Sequence, residues 1–139
     1  MISFNYETDF ELPNEAALER WISRVIASEQ KSEGELAFVF CDDAYLVELN
    51  QNYLQHDTLT DIISFDYSLG NELSGDVFIS VERVRENAVI FSQSFEDEIL
   101  RVIIHGILHY CGYKDKSDDD ERVMRAKENE KIAMFHVEQ

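Results

Sequence analysis

The pattern of apolar and polar positions predicts strands and helices that follow one another along the chain. Runs of strand length and apolar or alternating character occupy residues 2–6, 36–41, 61–67 and 75–80. The run at 36–41 has no polar interruption, which is typical of a central strand covered on both faces. The last two runs are separated only by the turn at 68–74, so they are predicted to form a hairpin.

Between these runs, apolar residues recur three or four positions apart, which indicates helices with one face toward a core. The predicted helices cover residues 14–29, 43–54, Ser80 to Phe91, Ser94 to Gly112, and Asp118 to about Phe135. In the third of them, the core stripe is predicted to contain Val81, Val84, Ala88 and Phe91. Strands and helices in this order predict an α+β fold, a mixed sheet of about four strands packed with helices. With 139 residues, 45% of them hydrophobic, the chain is predicted to be one domain, 1–139.

Composition narrows the function classes. Twelve basic residues against 29 acidic ones give a net charge of −17, the wrong balance for a protein that binds nucleic acid over its whole surface. Any work on RNA would need a local basic patch or a partner. Two cysteines fit a reducing compartment, and neither a signal peptide nor a membrane-spanning run is present in the sequence, so the predicted location is cytoplasmic.

The strongest chemical pattern is a pair of histidines, His105 and His109, followed by Gly112 and Asp115. Positions i and i+4 lie on one helix face, so both imidazoles can bind one metal ion. Asp115 would lie roughly 15 Å from His105 if the helix continued, but a glycine at 112 can end it and let the chain turn back. We therefore predict a metal site of His105, His109 and Asp115, with a fourth position open for chemistry.

The spacing is close to the His-Glu-x-x-His-x-x-Gly-x-x-His/Asp helix of metzincin peptidases. In this chain Gly106 occupies the position of the glutamate that acts as their general base. A degenerate peptidase is therefore the least favoured interpretation.

The run from His105 to Tyr113 instead resembles the YbeY family of metal-dependent endoribonucleases. Other matches follow in family order, at Leu49-Asn50, at residues 60–65 and at residues 75–80, so the resemblance spans roughly residues 45–132. It implies one Zn²⁺ ion, or another divalent transition metal, and a role in small-subunit ribosomal RNA maturation and ribosome quality control. Two positions depart from the family pattern: Asp115 replaces the usual third histidine, and Leu54 replaces an arginine that could clamp a phosphate.

The leading hypothesis is hydrolysis of an RNA phosphodiester by a zinc-bound water, with Asp61 or His56 as proton acceptor or phosphate contact. Capping of a strand end explains Asp61 equally well, and His56 can be a solvated loop residue. Thr60, Ser64, Lys114 and Lys116 are candidate substrate contacts, although strand packing or a solvated surface also accounts for them. The alternative is a non-catalytic ribosome-assembly factor whose metal is structural and whose acidic surface meets basic ribosomal proteins.

Overall fold

The structure, a computed structural model, describes residues 1–54 and 60–138. Within them, four strands form one sheet against which five α-helices pack. Their order is β1 (Ile2–Tyr6), α1 (Glu15–Ser28), β2 (Ser32–Cys41), α2 (Asp43–Leu49), β3 (Ile62–Asp66), β4 (Glu72–Ser80), α3 (Val81–Ile90), α4 (Phe95–Tyr110) and α5 (Asp118–Glu138). The predicted α+β class with a four-stranded mixed sheet is confirmed.

The sheet has the strand order β1-β2-β4-β3, with β1, β2 and β4 parallel and β3 antiparallel to β4. The predicted hairpin of β3 and β4 is therefore confirmed, and it places β3 at the edge of the sheet. Strand β2 lies inside the sheet as predicted, but only one of its faces is deeply covered. Phe38 and Phe40 are fully buried, whereas Ala37 and Val39 are half-buried because α2 covers the second face only near Cys41.

Helix α4 lies at the centre of the main core. Its apolar side chains are buried around most of its circumference, so it needs neighbours on several sides. The sheet covers one side, and α3 and α5 pack against the others. Trp21 of α1 is fully buried and donates a hydrogen bond through Nε1 to the carbonyl of Lys131, which fastens α1 to α5.

Strands β2 and β4 begin earlier than predicted, at Ser32 and Glu72. Two predictions about the helices were also wrong. The helix predicted over 43–54 is α-helical only to Leu49 and continues as a π-helical turn, Asn50–Leu54. Phe91, predicted in the core stripe of α3, is 56% exposed. Helix α3 ends at Ile90, and Ser92 turns the chain with a φ of 55°, so the side chain at 91 does not continue the buried stripe.

None of the helices within residues 1–54 and 60–138 combines the length and the apolar character needed to cross a bilayer.

Candidate metal centre

The end of α4 brings Asp115 back toward the histidines. Gly112 has a φ of 106°, and its N–H donates to the carbonyl of His109 at 3.0 Å. The next N–H, that of Tyr113, donates to the carbonyl of Leu108 at 3.1 Å. This pair of hydrogen bonds is the Schellman ending, which satisfies the last carbonyls and reverses the chain. The predicted role of Gly112 as the end of the helix is confirmed.

The three predicted ligands converge as a result. The Nε2 atoms of His105 and His109 are 3.0 Å apart, and each lies 3.2 Å from Oδ2 of Asp115. A tetrahedral zinc site with bonds of 2.0–2.1 Å separates its ligand atoms by about 3.3 Å. The spacing of the three donor atoms is therefore close to what one ion requires.

The opposite ring nitrogens show why these atoms fit a cation. His105 Nδ1 lies 2.7 Å from Oε2 of Glu128, and His109 Nδ1 lies 2.9 Å from the carbonyl oxygen of Tyr113. A carbonyl only accepts hydrogen bonds, and so does an ionised carboxylate, so both Nδ1 atoms carry the proton. In neutral imidazoles the two Nε2 lone pairs then face each other and the Asp115 oxygen. A metal ion, or a proton on one of the two rings, relieves the repulsion within such a cluster of acceptors. Nδ1 donors anchored in this way are typical of metal-binding histidines.

Glu128 is the main electrostatic partner of the site. It is 5% exposed and accepts a hydrogen bond from Arg101 at 2.9 Å in addition to the one from His105. Burial raises the pKa of Glu128, but these two hydrogen bonds outweigh burial and leave the pKa below its usual range. For His105 the signs are opposite. Burial lowers its pKa, but the hydrogen bond and the charge of Glu128 outweigh burial and raise the pKa above its usual value.

A cleft with two cavities, of about 610 and 520 Å³, opens beside the cluster. Both cavities share the side chains of His105, Asp115 and Glu128. The larger cavity runs along the first turns of α5, and the smaller one extends to the end of α3 and the start of β3. The cluster is therefore open to a molecule that enters from either direction.

The structure brings one further predicted site residue into this cleft. Asp61 lines the smaller cavity together with His105, and its Oδ2 accepts a hydrogen bond from Asn87 at 3.4 Å. Burial raises the pKa of Asp61, against hydrogen bonds and the charge of His105 that lower it. Its main-chain carbonyl also accepts a hydrogen bond from the N–H of Ser80, which ties residue 61 to β4 without involving the side chain.

The other predicted contacts lie outside the cavity walls. Thr60 donates to the carbonyl of Ile62 at 3.3 Å, and Ser64 is exposed on the edge strand. Lys114 and Lys116 are exposed on either side of Asp115 without lining a cavity. His56 lies outside the described residues. The functional roles of these residues, and of Asp61, stay predictions.

Sequence reasoning missed Glu128, although a signal was present. The buried stripe of α5 contains Met124 and Ile132, and residue 128 lies midway between them on the same face. An acid on an apolar stripe needs a partner when it is buried, and here the partners come from α4.

Gly106 packs against the sheet. A Cβ atom at this position would lie 3.3 Å from side-chain atoms of both Ile62 and Val77. A glutamate here would enter the core between α4 and the sheet, so the peptidase mechanism lacks both its base and the space for it.

Comparisons with known proteins identify the family of this chain. Residues 3–136 match the family model described as Endoribonuclease YbeY. A protein named Endoribonuclease YbeY from Flavobacterium johnsoniae is 67% identical over 139 residues, the whole of both chains, and its namesake from Christiangramia forsetii is 56% identical over 99% of this chain and 96% of its own. A solution structure of a Thermotoga maritima protein superposes with a TM-score of 0.69 and 26% identity, over 99% of this chain and 91% of that one. This chain therefore belongs to the Endoribonuclease YbeY family.

Proposed function

We propose that this protein is a metal-dependent endoribonuclease that cuts ribosomal RNA during maturation and quality control of the small ribosomal subunit. The observation that carries the proposal is the cluster of His105, His109 and Asp115, whose donor atoms lie 3.0–3.2 Å apart beside an open cleft. The relative named Endoribonuclease YbeY from Flavobacterium johnsoniae is 67% identical over the whole of this chain, which supports RNA as the substrate.

Zinc is the proposed ion, because two imidazoles and one carboxylate at near-tetrahedral spacing suit it. Asp115 in place of a third histidine makes the set harder and more negative, so another divalent transition metal is the nearest competitor. When bound, the ion supplies Lewis acidity for a phosphoryl oxygen and for water.

The protein's own side chains then have separate tasks. Asp61, across the smaller cavity from His105, accepts a proton during hydrolysis, and its raised pKa makes it a stronger base than an ordinary aspartate. Arg125 lines both cavities with a side chain that is 60% exposed. It binds a substrate phosphate there, a task for which Leu54 is unsuited, while Lys114 and Lys116 add weaker contacts outside the cleft.

A net charge of −17 limits how RNA reaches the site. Repulsion over most of the surface disfavours free RNA and favours RNA that basic ribosomal proteins already partly neutralise. We therefore assign a ribosomal particle in the cytoplasm as the working substrate. The same charge is the one observation that favours the alternative, an assembly factor that contacts those proteins and holds its metal for structure only.

The test compares zinc-loaded wild type with His109→Ala and with His136→Ala on a structured small-subunit RNA fragment. His136 is an exposed histidine in the last turn of α5, where it pairs with Asp97 of α4. Its removal controls for the loss of an imidazole. Metal content and cleavage should both be lost in His109→Ala and retained in His136→Ala. Cleavage that survives His109→Ala or chelation excludes the proposed mechanism. Loss of metal that unfolds the protein, with no cleavage by wild type, favours the structural alternative.

A further inference from the structure

The smaller cavity is lined by the carboxylate of Glu98, for which the described residues provide no hydrogen-bond or ion-pair partner. Glu98, in the first turn of α4, is 5% exposed and lines this cavity beside Asp61. Within residues 1–54 and 60–138, no side chain or main-chain group makes a hydrogen bond or ion pair with its carboxylate. Its oxygens are not sealed in the core but face the cleft, so a ligand in this cavity can supply the donors that the protein does not.

The chemistry of the cavity wall restricts that ligand. Asp61, Glu98 and Glu128 make the wall acidic, and the nearby Arg101 is already bonded to Glu128 and Asn129. Arg125, which also lines the larger cavity, remains available to a substrate phosphate. Next to the three carboxylates, phosphate would be repelled. The uncharged part of a nucleotide, its base, would not.

An aromatic side chain completes the cavity. Phe91 lines this cavity and is 56% exposed, so its ring is accessible to a ligand. Single-stranded RNA commonly stacks its bases on such rings. Phe91 can cover one face of a base, while the carboxylates accept hydrogen bonds from the edge of the base.

We propose that this cavity is a nucleobase subsite selective for guanine, with Glu98 accepting hydrogen bonds from the ring N–H and the exocyclic amino group and Phe91 stacking on the ring. Among the common bases, guanine presents two adjacent donors on its Watson–Crick edge, which is the edge that a carboxylate pairs with in bidentate fashion. The inference rests on the proposed function, because it takes the ligand to be RNA whose phosphate lies at the metal cluster.

Two further observations favour this assignment. Burial together with the charges of Asp61 and Glu128 raises the pKa of Glu98 despite Arg101, as expected for a carboxylate that is short of donors. A second cation is the rival ligand for an acidic cavity. In the part of the chain that the structure describes, however, only His105, His109 and Asp115 bring three ligand atoms within 4.8 Å of one another.

The test measures binding by fluorescence anisotropy with zinc-loaded protein and short labelled oligodeoxyuridylates that carry one central guanine, hypoxanthine or adenine. The deoxy backbone keeps the base edges, and each oligomer is checked to be intact after the measurement. Wild type should prefer guanine over adenine on the order of ten-fold, which is typical of the discrimination that one bidentate pair provides. Hypoxanthine, which lacks the amino group, should bind with intermediate affinity.

Three variants separate the contributions. Glu98→Gln should lose the guanine preference, whereas Glu96→Gln, an exposed acid on the same turn, should keep it. Phe91→Ala should weaken all three oligomers about ten-fold without changing their order, because stacking does not depend on base identity. Thermal unfolding of Glu98→Gln should match or exceed that of wild type, since the change removes a buried charge.

The possible outcomes distinguish the two proposals. Equal or absent binding of the three oligomers by wild type, or a preference that survives Glu98→Gln, overturns the guanine subsite. A second bound divalent ion that Glu98→Gln abolishes also overturns it, in favour of a cation site. The ribonucleotide versions of the three oligomers are tested for cleavage in parallel. Cleavage without a base preference would contradict only the guanine subsite. A base preference without cleavage would contradict the proposed nuclease activity instead.

Discussion

His105 and His109 present equivalent Nε2 atoms to the candidate metal site, but different groups accept the hydrogen bonds that their Nδ1 atoms donate. Behind His105 stands Glu128, a buried side chain that belongs to another helix and is itself bonded to Arg101. Behind His109 stands the main-chain carbonyl of Tyr113, four residues away in the turn that ends the same helix. The orientation of His109 is therefore a local property of the end of α4, whereas that of His105 depends on how α5 docks.

The largest effect is expected from Glu128→Ala, which removes the acceptor behind His105. Metal affinity should fall roughly 10- to 100-fold, the usual loss when such a supporting group is removed. The change also leaves Arg101 without its buried partner, which costs about 3 kcal/mol of unfolding free energy. Competition with a chelator and chemical denaturation measure the two effects.

The matched control is Glu130→Ala, which removes an acid that is 54% exposed and paired with Lys131 on the same helix. It should leave metal affinity unchanged. If both variants bind the metal as wild type does, the side-chain support of His105 has no energetic role.

Acidity should act on metal binding through His105. Metal binding needs a neutral imidazole, so the raised pKa of His105 means that a proton competes with the metal up to a higher pH than for an ordinary histidine. Affinity should rise about ten-fold per pH unit below that pKa and level off above it. In Glu128→Gln, which lacks the negative charge, the pH at which metal affinity levels off should be lower. Isothermal titration with metal at several pH values measures this. An unchanged pH dependence would show that Glu128 does not set the pKa of His105.

The metal-free protein should show the same linkage with the opposite sign. A folded-state pKa above the unfolded value means that protonated His105 stabilises the fold, fully so below about pH 6.5. This contribution is lost as pH rises through the folded-state pKa. Denaturant unfolding of chelated protein across this range, compared with zinc-loaded protein, separates the two trends.

A smaller effect is expected from Gly112→Ala, which disturbs the His109 half. No atom outside the chain neighbours lies within 4 Å of a Cβ at this position, so the cost comes from the φ of 106° alone. We expect a loss of about 1–2 kcal/mol in unfolding free energy. Metal affinity should fall several-fold because the Tyr113 carbonyl moves with the turn. Gly70→Ala, at a positive φ in the distant β3–β4 turn, is the control for backbone strain without a metal effect.

The smallest effect is expected from Tyr113→Phe. It removes the hydroxyl that donates to Glu29 at 2.7 Å but keeps the main-chain carbonyl that accepts from His109. Unfolding free energy should fall by about 1 kcal/mol, while metal affinity should change by no more than about two-fold. A large loss of affinity would show that the support of His109 is not confined to the main chain.

The same contrast explains what the sequence could and could not predict. The two ends of α4 could be predicted because they depend on residues close in the chain. Ser94 Oγ accepts a hydrogen bond from the N–H of Asp97 at the start of the helix, and Gly112 ends it. The convergence of the histidines with Asp115 follows from those local features. Glu128 was not identified because its partners lie more than 20 residues away in sequence, and only the docking of α5 brings them within hydrogen-bonding distance.

The misplacement of Phe91 has a related cause. Spacing alone continued the buried stripe of α3 by one more position, but the stripe ends where the helix does, and Ser92 redirects the chain there. The periodic spacing of apolar residues identifies a helix, but it does not predict the residue at which the helix ends. Glu98 illustrates the converse, an acid on a helix start that would ordinarily be solvated and is enclosed here by the walls of the cleft.

The dependence of His105 on α5 also sets an order of events during synthesis. Residues 118–138 leave the ribosome after α4, so a nascent chain that has α4 but not yet α5 lacks the acceptor behind His105. The three ligands are already present at that stage, but the orientation of His105 is fixed only when the last helix has docked. A chain that is still being synthesised should therefore bind the metal less tightly than the finished protein.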